Sequence, residues 1–156
     1  MPRCATALFM LLISAPIGAW AHVRVFPDAG NMQAPACGYT KFVVRVPVEK
    51  PIATTRIDLF VPKGMIVYAV EPKPNWQFNL QRTRGVVTTI TWSGGRLNPY
   101  EFDEFAFLAA TPRVSGSVNW DAWQYYEDGS IVKWTGKPGA ETPHSVTEIT
   151  AGHCKK

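Results

Sequence analysis

The sequence predicts an all-β fold, an immunoglobulin-like antiparallel β-sandwich of about seven to nine strands. Short runs that alternate apolar and polar residues recur about every ten residues, which is typical of strands. The 13 Pro and 12 Gly residues are spread along the chain and supply turns between these runs. No long segment has the 3.6-residue period of an amphipathic helix. A small β-barrel is the alternative architecture.

The individual strands follow from the alternation and from the turn residues that interrupt it. Pro27 and Pro47 end the first two runs, and Asp128-Gly129 marks a hairpin turn. Residues 28–38 are rich in Gly, Pro, Ala and Asn and are predicted to form a loop. The predicted strands cover 23–26, 40–46, 56–61, 65–70, 76–80, 86–92, 102–110, 117–126 and 131–134, with a short last strand at 146–149.

Residues 1–21 are predicted to form a secretory signal peptide. Arg3 supplies the positive charge, residues 5–17 are apolar, and Ala19-Trp20-Ala21 has the small-x-small pattern of a cleavage site. The apolar run is too short to span a bilayer stably, which disfavours an uncleaved membrane anchor. We therefore expect export, to a periplasm or to the outside of the cell.

Cleavage would leave one domain, residues 22–150, and a tail, 151–156, that is predicted to be frayed. Loss of Arg3 leaves 15 basic and 12 acidic side chains, so the net charge falls from +4 to +3. No Lys/Arg cluster accompanies this charge, and we do not expect nucleic-acid binding. No second apolar segment is present, so we expect that the mature chain does not span a membrane.

Cleavage after Ala21 would also make His22 the N-terminal residue. Its α-amine and its imidazole Nδ1 could then close a six-membered chelate ring on one metal ion. Both nitrogens lose their protons on binding, and two such donors suit the tetragonal coordination of Cu(II). An N-terminal histidine also arises by chance, so this feature alone is weak support for a metal site.

Two acids lie in an otherwise apolar strand, 102–107. With a period of two, Asp103, Phe105 and Phe107 face one way, while Phe102 and Glu104 face the other. A carboxylate among apolar neighbours must be paired, hydrogen-bonded or coordinated to a metal. A strand edge with solvated acids is the simpler interpretation of this pattern.

The remaining histidines and cysteines leave several alternatives open. His144 follows a proline in a loop and His153 lies in the tail; either could add a second imidazole, but solvated loop residues are the simpler reading. Signal cleavage removes Cys4 and leaves Cys37 and Cys154. An exported domain permits a disulfide between them, and two free thiols are the alternative.

The sequence resembles the YcnI-like family of exported copper-binding domains. The resemblance rests on an ordered series of short motifs from 21–25 to about 149. These motifs cover residues 21–25, 45–47, 53–55, 61–64, 74–76, 92–95, 103–105, 124–125, 128–129 and 134.

The resemblance implies an immunoglobulin-like sandwich that holds Cu(II) in a one-histidine brace. His22 would provide the two nitrogens, Glu104 an oxygen, and Trp134 would lie near the metal. Glu101 is the alternative to Glu104, since each precedes a phenylalanine. The implied role is copper storage, trafficking or transfer, with a membrane copper transporter or another copper chaperone as partner.

Two other function classes remain as alternatives to a non-catalytic copper-binding domain. A secreted copper-dependent oxidative enzyme, similar to polysaccharide monooxygenases, would need a second histidine ligand. A metal-free interaction module would need no ligand set at all.

Overall fold

Alternating buried and exposed side chains form eleven strands in the computed structural model, which describes residues 22–27 and 31–154. The predicted signal peptide, 1–21, lies outside the described residues. Within them, no helix is long and apolar enough to cross a membrane. The strands are β1 (Arg24–Pro27), β2 (Gln33–Pro35), β3 (Tyr39–Pro47), β4 (Thr54–Phe60), β5 (Ile66–Val70), β6 (Gln77–Thr83), β7 (Val86–Leu97), β8 (Phe102–Ala110), β9 (Gly116–Tyr126), β10 (Ile131–Trp134) and β11 (Ser145–Thr150).

The prediction of an all-β sandwich is confirmed, although the described residues contain more strands than expected. The clearest difference is β2, which lies in the stretch predicted to be a loop. It pairs in parallel with β11, and the Glu148 N–H donates to the Met32 carbonyl at 2.8 Å. Three residues are too few to show an alternating pattern, so this pairing could not be read from local sequence.

The strands form two sheets that pack face to face. The first has the order β1-β3-β8-β5, and the second has the order β2-β11-β9-β4-β7-β6. Strands β10 and β11 share one edge of β9, where β10 pairs with residues 122–125 and β11 with residues 116–120. The Val25 N–H donates to Ser145 Oγ at 2.9 Å, which ties the edge strand β1 of the first sheet to β11 of the second.

Aromatic side chains from both sheets fill the space between them. The Phe42 ring stacks on Phe107 at 5.6 Å, and Trp120 contacts both rings. Alternation along β8 buries Phe105 and Phe107 and places Glu104 on the opposite face, as the sequence predicts. Each buried ring removes on the order of 200 Å² from water, or about 5 kcal/mol of hydrophobic free energy, so these contacts dominate the stability of the sandwich.

A disulfide joins Cys37, which follows β2, to Cys154, which follows β11. Their Cα atoms are 5.2 Å apart, and 117 positions separate them in sequence. In the chain-entropy model, closing so long a loop destabilises the unfolded chain by about 5 kcal/mol. Residues 151–154 of the predicted tail therefore lie against the domain, and a Cβ at Gly152 would come within 2.0 Å of the Ala36 carbonyl oxygen. Residues 155–156 lie outside the described part of the chain.

Gln124 on β9 is a buried amide that links both sheets. Its side chain is 0% exposed. Nε2 donates to the Pro47 carbonyl of the first sheet at 2.9 Å and to Thr54 Oγ1 of β4 at 2.8 Å, while Oε1 accepts from Trp134 Nε1 at 3.1 Å. The Pro47 hydrogen bond crosses between the sheets, while Thr54 and Trp134 belong to the same sheet as Gln124. Because a buried amide without partners is costly, these contacts hold the Pro47 end of β3 against β9.

Replacing Gln124 with leucine should lower the free energy of unfolding by about 3 kcal/mol. The substitution keeps an apolar side chain in place but leaves Trp134 Nε1 and the Pro47 carbonyl without this buried partner. Urea denaturation measures the loss, and Gln81→Leu on the exposed strand β6 is the matched control. A loss for Gln124→Leu no larger than that of the control would show that the buried amide does not hold the sheets together.

Candidate metal centre

His22 lies two residues before the start of β1, at the seam where the edge of the first sheet meets β11. It lines a cavity of about 290 Å³ together with Arg24 and Met32 from the β1–β2 region, and with His144 and Ser145 at the start of β11. Pro138, Gly139 and Pro143 of the loop between β10 and β11 close the other side. The cavity therefore brings together a residue from the beginning of the domain and residues from its last strand.

Trp134 packs against His22, with the two ring centroids 5.4 Å apart and the ring planes inclined at 51°. The indole is only 5% exposed, and its Nε1–H is held by the Gln124 amide. The Asp128-Gly129 turn positions it, because this turn folds β10 back onto β9 and pairs Trp134 with Ala122. Gly129 has φ +82°, a backbone conformation that glycine adopts without steric cost.

Glu104 lies on the outer face of the first sheet. Its Oε1 accepts from Arg45 Nε at 2.9 Å and from Nη2 at 2.7 Å, and its side chain is 43% exposed. Arg24 of β1 is paired with Arg45 of β3, and Arg45 is paired with Glu104 of β8. Glu104 is therefore two strand spacings, about 9.6 Å, from β1. It does not line the cavity beside His22.

The Glu101 carboxylate accepts two hydrogen bonds from Asn98, which lies in the same turn. Oε2 accepts from the Asn98 N–H at 2.7 Å and Oε1 accepts from Asn98 Nδ2 at 3.2 Å. Backbone hydrogen bonds between Val48 and residues 100–101 hold this turn beside the end of β3. Glu101, the alternative to Glu104 in the sequence analysis, therefore lies near the end of β3, and its carboxylate oxygens accept hydrogen bonds from Asn98 in the same turn.

Glu49 is an acid that follows β3, the strand paired with β1, and the sequence analysis did not consider it as a ligand. Like Glu104, it does not line the cavity beside His22; it lines a separate cavity with Pro47, Glu101 and Phe102. Continuing the antiparallel register of β1 and β3 past Arg24 and Arg45 brings His22 level with Pro47, two residues before Glu49. Glu49 is also close to Tyr126: burial raises the pKa of Tyr126 to about 12, and the charge of Glu49 acts in the same direction. Glu49 is the first acidic residue after the end of β3. This position suggests a ligand only once the pairing of β1 with β3 is known.

The two other histidines have different surroundings. His144 is 12% exposed, and its Nδ1 lies 3.9 Å from Asp121 Oδ1 on β9. His153 is exposed in the segment that the disulfide anchors. The structure therefore brings His144, but not His153, to the cavity that His22 lines.

Across residues 22–27 and 31–154, no group of three or more His, Cys, Asp or Glu side chains is arranged to hold a metal ion. A metal at this end of the sandwich would therefore need another kind of donor. An N-terminal amine at His22 is one such donor, and the thioether of Met32 is a second.

Comparisons with known proteins give this geometry a family context. Residues 22–150 match the family model described as "Domain of unknown function (DUF1775)". The chain is 38% identical over 144 residues to a Bacillus subtilis (strain 168) protein named "Copper-binding protein CutI", covering 91% of this chain and 68% of the relative. That relative is named as a binding protein and not as an enzyme.

A solved structure from Nocardia farcinica, described as an uncharacterized protein with an immunoglobulin-like fold, is also similar. It has a TM-score of 0.73 and 26% identity, and the match covers 83% of this chain and 99% of that one. It supports the immunoglobulin-like architecture that the two sheets display. With the family model spanning nearly the whole described domain, the chain belongs to the DUF1775 family, the YcnI-like domain family.

Proposed function

We propose that this protein binds copper outside the cytoplasm, without catalysis, through a site created at His22 by removal of residues 1–21. The observation that carries the proposal is the packing of His22 against Trp134 at the mouth of a cavity. The family match begins at residue 22, the residue that the predicted cleavage would expose. We propose copper as the metal because the 38% identical relative is named a copper-binding protein.

The terminal residue would supply two nitrogen donors to Cu(II). The α-amine and Nδ1 of His22 close a chelate ring, and a carboxylate oxygen adds negative charge in the remaining plane. Trp134 lies beside the ring and excludes water from one side, and its indole is held still by Gln124. Groups that surround a metal site in this way tune its affinity for the metal and the reduction potential of the bound ion.

The strand register favours Glu49 over Glu104 as the oxygen donor. Metal–oxygen bonds are about 2 Å long, so the carboxylate must reach the immediate vicinity of the His22 amine. Breaking the exposed Arg45–Glu104 pair costs only about 0–1 kcal/mol, so this pairing alone does not decide the matter. The strand order supports Glu49, because Glu104 is two strands from β1 whereas Glu49 follows the adjacent strand β3.

The cellular role that follows is copper storage, trafficking or transfer in a periplasm or outside the cell. A membrane copper transporter or another copper chaperone would be the partner that receives or supplies the ion. The open cavity at His22 would give such a partner access to the metal.

One extra alanine before His22 should lower the Cu(II) affinity by about 100-fold or more, because the amide that replaces the amine is a poor donor. Competitive titration of the processed chain and of the extended chain measures this difference. A chain extended by one alanine at its C-terminus is the control. Equal Cu(II) affinity of the processed and N-terminally extended chains would refute the terminal chelate.

The oxygen donor can be identified with a matched pair of substitutions. Glu49→Gln should weaken Cu(II) binding about tenfold and change the Cu(II) EPR spectrum, because an anionic ligand is lost. Glu104→Gln should leave both nearly unchanged, since it removes only an exposed ion pair with Arg45. If Glu104→Gln changes the spectrum and Glu49→Gln does not, the residue implied by the family resemblance is the donor and the register argument is wrong.

A further inference from the structure

The cavity beside His22 contains two copper-binding side chains that the Cu(II) chelate does not use. Met32, just before β2, offers a thioether, and His144, just before β11, offers an imidazole. β2 and β11 pair in parallel, and the Glu148 N–H donates to the Met32 carbonyl at 2.8 Å. Both donors therefore lie just before two paired strands and line one cavity.

The backbone of His144 is held in place, and its ring lies near one carboxylate. Its Nδ1 faces the Asp121 carboxylate at 3.9 Å, and its backbone N–H donates to the Gly136 carbonyl at 2.8 Å. Metal-ligating imidazoles usually direct one ring nitrogen at a carboxylate or carbonyl and bind the metal with the other. The 3.9 Å separation is longer than a hydrogen bond, so this contact does not fix the tautomer, and either ring nitrogen of His144 is a candidate donor.

The charge and the softness of these donors determine which oxidation state of copper they prefer. A thioether and an imidazole are neutral ligands, and soft sulfur prefers Cu(I) to divalent ions. We infer that Met32 and His144 form a Cu(I) site next to the Cu(II) chelate, sharing the His22 imidazole as a third donor.

This inference rests on the proposed copper function and extends it to both oxidation states. Copper held by the terminal chelate as Cu(II), and by sulfur and imidazole as Cu(I), would stay at the same end of the sandwich in either form. An N-terminal amine is not required for the Cu(I) site, so the two proposals can be tested separately.

The test is an anaerobic Cu(I) titration of the processed protein against a chromophoric Cu(I) chelator, combined with X-ray absorption of the Cu(I) form. Met32→Leu and His144→Gln should each lower Cu(I) affinity about tenfold or more, and Met32→Leu should abolish the Cu–S scattering. Met65→Leu in the core and His153→Gln in the tail are the matched controls and should leave Cu(I) binding unchanged. Thermal unfolding checks that every variant is folded.

The chain with one alanine before His22 separates the outcomes. Loss of Cu(II) affinity with retention of Cu(I) affinity supports both proposals. Retention of both affinities overturns the terminal Cu(II) chelate and leaves the Cu(I) site standing. Loss of both would place Cu(I) at the terminal amine and overturn the inference, as would unchanged Cu(I) affinity in Met32→Leu and His144→Gln or an absence of sulfur scattering.

Discussion

The Gln124 amide is the constraint on which this end of the molecule depends. It is buried, and it bonds the Pro47 carbonyl in one sheet, Thr54 in the other, and the Trp134 indole on the hairpin strand β10. Pro47 is also level with His22 in the continued β1–β3 register. One side chain thus joins the two sheets and fixes the ring against which His22 packs, so the position of Trp134 in the proposed copper site follows from satisfying a buried amide.

The second organising feature is the closure of the sandwich at its edge. Strand β1 is tied to β11 through Ser145, and β2 is tied to β11 by parallel pairing and by the disulfide. Residues from the first and last parts of the domain therefore meet at one seam. The cavity at this seam is walled by paired strands and by a loop with two prolines, which limits its rearrangement when a metal binds.

The fold was largely predictable because alternation is a local signal: β8 occupies residues 102–110, as the sequence predicts, with Phe105 and Phe107 in the core. Pairing between strands distant in sequence was not predictable, as the pairing of β2 with β11 shows. The contact of His22 with Trp134 agrees with the neighbourhood that the family resemblance implied. The placement of His144 in the His22 cavity, and of Glu49 after the strand paired with β1, depends on contacts between strands distant in sequence, so no local pattern around either residue could show it.

The central claim is that processing creates the copper site. Intact and native mass spectrometry of the secreted protein, with and without Cu(II), tests it most directly, because one measurement gives the cleavage position, the state of the cysteines and the metal count. We predict a chain that begins at His22, carries the Cys37–Cys154 bridge and gains one Cu(II) ion. A secreted chain that begins at another residue and still binds one Cu(II) ion tightly would contradict the account.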